Sequence, residues 1–174
     1  MDQNEEDEII QMMIKDYDIK LSISKVRRRL SLSQNNIIKD ELLDEYINIK
    51  REHNKYDYED LLIKVITLKD INRYKYILVD EFQDATLLQI KYINKILDGQ
   101  LFAVGDPRQS IYGFRGSFPN VFEKIKEYYP NINSLSLVEN YRSSDAIINS
   151  SNRLFKEYDK LKGSGIKGSV TVVK

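Results

Sequence analysis

The sequence predicts an α/β protein, with an all-helical segment followed by a parallel sheet that helices cover. Three observations carry that reading. Residues 1–70 contain no glycine or proline and repeat their apolar residues at helical spacing. All seven glycines and all three prolines fall within residues 74–174. In that second stretch four-residue apolar runs alternate with helical patterns, as in parallel strands buried on both faces.

The elements follow in order. Glu6 to Tyr17 predicts a helix, because Ile9, Ile10, Met13 and Ile14 recur on one face. Ser24 to Leu30 is a short segment that carries Lys25, Arg27, Arg28 and Arg29. Ile37 to His53 predicts a longer helix with Ile38, Leu42, Leu43, Tyr46, Ile47 and Ile49 on a broad apolar face, and leaves His53 solvated at its end. Tyr58 to Leu68 predicts a helix that buries Leu61, Leu62, Val65 and Ile66. Tyr76 to Val79 predicts a buried strand ending at Asp80, and Leu101 to Val104 a second ending at Gly105-Asp106. Ile132 to Val138 predicts a third strand and Val170 to Val173 a fourth. Helices are predicted between them over Leu87–Leu97, Phe118–Tyr128 and Ser143–Tyr158; Pro119 is tolerated in a first helical turn. Lys162 to Gly168 reads as a linker or exposed loop.

Composition removes several chemistries. Lys+Arg and Asp+Glu both number 27 in 174 residues, so a uniformly basic nucleic-acid coat is excluded, though a local basic patch is not. Hydrophobic residues at 41% and charged residues at 31% suit a packed core and exclude a wholly disordered chain. No cysteine is present, which excludes disulfides, thiolate metal sites and a thiol nucleophile. A single histidine, His53, excludes a two-histidine zinc motif. No apolar run approaches the length of a membrane span, and Met1 to Glu8 lacks the basic-then-apolar pattern of a secretory leader. The expected setting is a soluble, reducing compartment, the cytoplasm, with no membrane partner.

In parallel α/β sheets ligands bind at the carboxyl ends of strands. Three polar segments occupy such positions. Asp80-Glu81-Phe82-Gln83-Asp84 follows the first strand in the Walker B arrangement, where an acid at the strand tip can hold Mg²⁺ through water and the next carboxylate can deprotonate an attacking water. Alone, an Asp-Glu pair equally opens a turn. Gly105 to Ser117 follows the second strand. Within it Gln109 can donate to a phosphate oxygen or hold a water, and Tyr112, Phe114 and Arg115 combine two aromatic faces with a guanidinium, a mixture suited to unpaired bases and their phosphates. The glycine-flanked i, i+2 spacing of Tyr112 and Phe114 suits a loop rather than a helix face. In Glu139-Asn140-Tyr141-Arg142-Ser143, a flat ring and a fork of donors lie side by side, so a purine can stack while the fork binds a terminal phosphate.

Taken together and in this order, the segments resemble the UvrD/Rep-type superfamily 1 DNA helicases. Ile77 to Asp84 resembles motif II of that family, Val104 to Gly116 motif III, and Asn140 to Ser143 motif IV. Tyr56-Asp57-Tyr58-Glu59-Asp60-Leu61-Leu62 is similar to the DFDDLL element that precedes motif II. The resemblance implies a partial RecA-like P-loop NTPase core. Residues 1–56 would be a shortened 1B-like helical insertion, 57–160 part of motor domain 1A, and 161–174 a linker with the first strand of the second motor domain. It further implies ATP and Mg²⁺ as cofactors and single-stranded or partly unwound DNA as partner. Asp80 would bind the metal of Mg-ATP together with Glu81, and Glu81 would be the general base. Gln109 would sense the γ-phosphate. Tyr112, Phe114 and Arg115 would contact DNA. Tyr141 would stack on adenine and Arg142 would stabilise the transferring phosphoryl group. Gln83 and Asp84 would hold the two motifs in register, and Asp106 would shape its turn.

Two departures qualify these expectations. Phe114 stands where many members have Trp. The P-loop, G-x-x-x-x-G-K-[ST], is absent: the chain has no Gly-Lys dipeptide, and the decoy Gly163 to Ser169 lacks the lysine and precedes a strand. The chain is therefore expected to be an internal piece of a motor, inactive alone and in need of the missing remainder. Two other readings stay open. A metal-dependent nuclease would use Asp80, Glu81, Asp84 and Asp106. A non-catalytic module would grip single strands with Tyr112, Phe114, Arg115 and the Lys25–Arg29 cluster, whose plainer reading is a solvated helix face.

Overall fold

The computed structural model describes residues 1–35, 37–111 and 120–171. The chain divides into two compact units, Met1–Pro130 and Asn131–Lys174. Among the described residues it is a mixed α/β protein with seven α-helices and short parallel strands.

The first unit begins with helices α1 (Gln3–Asp16), α2 (Ile23–Gln34), α3 (Leu42–Glu52) and α4 (Tyr58–Thr67). A capping box at Asp2 and Glu5 starts α1, satisfying amides that the first turn leaves without partners. Ile9, Ile10 and Met13 then meet Val26, Leu30 and Tyr46 in one buried cluster, the apolar stripes of three helices. Helix α3 starts five residues later than its apolar pattern predicts. The Asp40 carboxylate accepts from the Leu42 amide at 3.1 Å while bound to Arg29, so the chain turns before entering the helix. Helix α4 opens on a second capping box, Asp57 with Asp60. It does not bury Leu61, Leu62, Val65 and Ile66 as predicted: none of its residues is fully buried, and Leu61 is exposed.

Strand β1 (Tyr74–Val79) pairs in parallel with β2 (Leu97–Ala103), in a register that sets Leu78 opposite Phe102 and Val79 opposite Ala103. Between them run a short 3-10 turn at Phe82–Asp84 and helix α5 (Leu87–Ile96), which Thr86 and Gln89 cap reciprocally. Helix α6 (Val121–Tyr128) closes the unit; Phe122 meets Phe82 edge-on at 5.5 Å. The prediction that the strands are covered on both faces is corrected. Tyr74, Tyr76, Leu78, Phe102 and Val104 alternate onto one exposed face, with Leu78 76% and Phe102 63% accessible. Parallel strands are as a rule buried on both sides, so this face lacks a covering layer.

The second unit holds β3 (Glu139–Asn140), α7 (Asp145–Leu154) and β4 (Lys162–Gly163), with β3 and β4 parallel. The strand predicted over Ile132–Val138 does not form. Leu135 and Leu137 are almost fully exposed, and pairing begins only where the Lys162 amide donates to the Val138 carbonyl at 2.8 Å. A strand forms instead inside the glycine-rich stretch read as a linker. Backbone groups make the ladder, so a Lys-Gly pair can join it without an apolar pattern. Val170 and Thr171 are not in a strand, and Val172 and Val173 lie outside the described residues.

Candidate functional site

The carboxyl ends of β1 and β2 are tied before any side chain takes part. The Val104 amide donates to the Val79 carbonyl and the Phe82 amide donates back to the Val104 carbonyl, both at 2.8 Å. That brings Asp80-Glu81 beside Gly105-Asp106. Asp80 accepts from the Glu81 amide at 2.9 Å through one oxygen. Glu81 itself sits in the left-handed region, φ 50° and ψ 39°, where a Cβ crowds the next carbonyl at a cost of about 1–2 kcal/mol. Both acids are exposed.

Gln83, only 3% accessible, joins the two loops. Its Nε2 donates to Glu81 Oε2 at 2.7 Å, and its Oε1 accepts from the Asp106 amide at 3.0 Å. Its carbonyl accepts from Ser110 Oγ at 3.2 Å. Gly105 makes this approach possible: a Cβ there would lie 2.3 Å from Gln83 Oε1 and 2.9 Å from the Phe82 nitrogen. Asp106 organises the second loop. Its carboxylate accepts from the Arg108 amide at 3.0 Å, Arg108 Nε at 2.8 Å and Gln109 Nε2 at 3.1 Å. Burial pushes its carboxyl up, but the bonds from Arg108 and Gln109 outweigh burial and hold it below the usual carboxylate range. Asp84 behaves otherwise. Burial, with the Glu81 charge, raises its carboxyl, and its buried Oδ1 accepts no hydrogen bond among the described residues. Among the described residues the side-chain bonds between the loops run through Gln83.

In the second unit Asn140 Oδ1 accepts from the amides of Arg142 at 3.0 Å and Ser143 at 2.8 Å. This turn leaves Tyr141 and Arg142 exposed. The Tyr141 hydroxyl donates to Glu139, whose bond and charge raise the phenol above its ordinary value.

The structure therefore brings Asp80, Glu81 and Gln109 onto adjoining loops of the first unit and sets Tyr141 and Arg142 on one turn of the second. Tyr112, Phe114 and Arg115 lie outside the described residues. Among the described residues no group of three or more acids or histidines could hold a metal ion, which removes support from the four-carboxylate nuclease reading. Half of the basic cluster is engaged: Arg27 pairs with Glu6 and Asp7, and Arg29 with Asp40, while Lys25 and Arg28 are exposed. No helix among the described residues is long and apolar enough to cross a membrane.

Sequence reasoning missed that Asp106 already holds the Gln109 amide, and it missed Lys50. That lysine is 1% accessible, bound to Asp57 at 2.5 Å and Asp60 at 2.6 Å, with its ammonium 4.4 Å from the centre of the Tyr46 ring. The available signal was its position: Leu43, Tyr46 and Lys50 fall on one helical stripe, so the charge had to enter the core with partners.

Residues 2–130 match the family described as the UvrD/REP helicase N-terminal domain. A putative ATP-dependent DNA helicase, YjcD, of Bacillus subtilis is 34% identical over 127 residues, which are 67% of this chain and 17% of that protein. The ATP-dependent DNA helicase Rep of Buchnera aphidicola is 36% identical over 66% of this chain and 18% of its own length. DNA helicase II of Haemophilus influenzae is 40% identical over 56% of this chain and 15% of its own. The matched region is therefore less than a fifth of each of these relatives.

Proposed function

From the premise that the chain belongs to the UvrD/REP helicase N-terminal domain family, we propose that it is part of an ATP-dependent DNA helicase or translocase that couples Mg-ATP hydrolysis to movement on single-stranded DNA. The observation that carries the proposal is the juxtaposition of Asp80-Glu81 with the Gly105–Gln109 loop at the tips of paired parallel strands, where α/β folds bind nucleotides. Residues 57–160 are then part of a RecA-like motor domain, and residues 1–56 its shortened helical insertion.

Each residue has a task in this reading. Asp80 and Glu81 would hold Mg²⁺. The fit is good, because both acids are exposed and Asp80 uses only one oxygen in its own turn. The ion, when bound, neutralises charge on the phosphates. Glu81 takes the proton of the attacking water. Gln109 reports the γ-phosphate, after leaving Asp106. Tyr141 stacks on adenine and Arg142 binds the transferring phosphoryl group. Tyr112, Phe114 and Arg115 contact the unwound strand. The remainder of the motor is a partner, since no Gly-Lys pair supplies a phosphate cradle within this chain. The bare face of Tyr76, Leu78 and Phe102 supports such a partner as its cover.

The test has two arms. The 174-residue chain alone should show no DNA-stimulated ATP hydrolysis. Joined to a P-loop-bearing segment of a related motor, it should hydrolyse ATP in a DNA-dependent way, and Glu81→Gln should abolish this. Turnover by the chain alone, or turnover in the joined form indifferent to Glu81→Gln, overturns the proposal.

A further inference from the structure

We propose that Gln83 is a positioning residue that mechanically couples the Glu81 carboxylate to the loop carrying Gln109. The consequence for hydrolysis rests on the functional reading above; the coupling itself does not.

Glu81 and Gln109 are far apart in sequence, yet one chain of hydrogen bonds joins them. Glu81 Oε2 accepts from Gln83 Nε2 at 2.7 Å, Gln83 Oε1 accepts from the Asp106 amide at 3.0 Å, and Asp106 Oδ2 accepts from Gln109 Nε2 at 3.1 Å. Gln83 suits the central place because an amide both donates and accepts, so one rigid plane can serve two loops. A carboxylate there could not donate to Glu81, and an aliphatic chain could do neither. Burial of Gln83 keeps water from most of its own amide, while the Glu81 and Gln109 ends of the link are exposed. The link is also close-fitting, since Gly105 admits no Cβ beside Gln83 Oε1. Glu81 depends on it because, among the described residues, its left-handed backbone has few other hydrogen bonds: its amide meets Asp80, and its carbonyl accepts from the Asp84 amide at 3.0 Å. When Gln109 leaves Asp106 for another acceptor, the Asp106 turn is freed to shift. That shift reaches Glu81 through Gln83. A base whose aim depends on an occupied sensor would remain misaligned until the sensor is engaged.

The test is a spectroscopic cycle on the full chain without nucleotide. Asp106→Asn perturbs the second loop, and the Glu81 side-chain carboxyl carbon and backbone amide are followed by NMR. In the otherwise unaltered chain both Glu81 signals should move. In the Gln83→Leu background the same substitution should move them less than half as far. Gln83→Glu is the second background: it retains an acceptor for the Asp106 amide and loses the donor to Glu81, so the Asp106 amide signal should persist while the Glu81 response disappears. A third readout needs no variant. The Gln83 Nε2 protons should exchange with solvent at least about tenfold more slowly than those of exposed Gln100. Equal Glu81 shifts in all backgrounds, or Gln83 exchange as fast as that of Gln100, overturns the coupling. Absence of ATP hydrolysis in the joined motor would overturn the functional reading and leave the coupling untouched.

Discussion

The helical segment and the strand tips treat charge in opposite ways. Between α3 and α4, Lys50 lies in the core and is satisfied by Asp57, Asp60 and the Tyr46 ring. Asp57 also accepts from Gln34 at 3.0 Å and closes the α4 capping box with Asp60. Each of these charges has internal partners and faces other protein groups. At the strand tips Asp80 and Glu81 are exposed, and Glu81 has a strained backbone. A charge enclosed by its partners holds structure together, whereas one held at the surface by a buried scaffold is available to a ligand. Sequence composition alone does not separate the two, because Lys50 and Glu81 each stand between one apolar and one charged neighbour.

The largest effect expected from this difference is at Lys50. Lys50→Ala would leave two carboxylates without their buried cation and should destabilise the first unit by about 3–5 kcal/mol, measured by urea unfolding. A loss under about 1 kcal/mol, the range of surface ion pairs, would show that the network is solvated and would collapse the contrast.

A buried helix residue and a bare strand residue give the next test. Ile90 of α5 is fully buried, and Ile90→Ala should cost about 2–5 kcal/mol. Leu78→Ala, on the bare side, should stay within about 0.5 kcal/mol in the isolated chain. Leu78→Asp should nonetheless abolish hydrolysis in the joined motor, because a charge there opposes any apolar cover. Equal losses at Ile90 and Leu78 would mean that the bare face is already covered in solution.

This pair of residues also marks how far sequence could be read. The apolar runs at Tyr76–Val79 and Leu101–Val104 locate both strands, and Asp80 and Gly105-Asp106 locate their tips, because strand ends need polar punctuation. The pattern could not report which face has a partner: burial depends on what is present to cover it. Continuous apolar character is the same in Leu78 and Val79, although their exposures differ. The second unit was harder for a related reason. Leu135 and Leu137 alternate like strand residues but have no neighbouring strand among the described residues, whereas Lys162–Gly163 pairs through its backbone alone. At the site, residue types pointed to Asp80, Glu81 and Gln109. The bond between Gln109 and Asp106 is a property of the folded loop and left no trace in spacing.

Acid titration should separate the carboxyls of the helical segment by sign. Burial is the leading influence on Glu6 and Glu59 and raises both. A carboxyl raised in the folded state adds stability as pH falls through its folded value toward about 4.3, the unfolded value. Burial also pushes Asp57 up, but the bonds from Lys50, the Asp60 amide and Gln34 outweigh it and leave Asp57 lowered. Its contribution is present above about 3.9 and is lost as pH falls through its lower folded value. Urea unfolding between pH 7 and 3 should therefore show stability rising on mild acidification and falling below about pH 3.9. Lys50→Ala should shrink the acid-side fall, because the principal bond lowering Asp57 is gone. A monotonic decline from pH 7, or an acid limb unchanged in Lys50→Ala, would contradict this assignment of charges.

The smallest effect has the opposite sign to the other mutations. Glu81 holds a left-handed backbone that costs a residue with a Cβ about 1–2 kcal/mol, and glycine removes that cost while adding about 0.5–1 kcal/mol of unfolded-chain entropy. Glu81→Gly also forfeits the bond from Gln83, but Glu81 is exposed, so water can replace its side of that bond. The net expectation is a gain of up to about 1 kcal/mol in unfolding free energy, alongside complete loss of hydrolysis in the joined motor. A residue that weakens the fold where it stands, and whose replacement strengthens the fold while silencing the site, is kept there for its chemistry. If Glu81→Gly instead lowers stability, the Gln83 bond is worth more than the backbone strain, and Glu81 belongs with Lys50 on the structural side of the comparison.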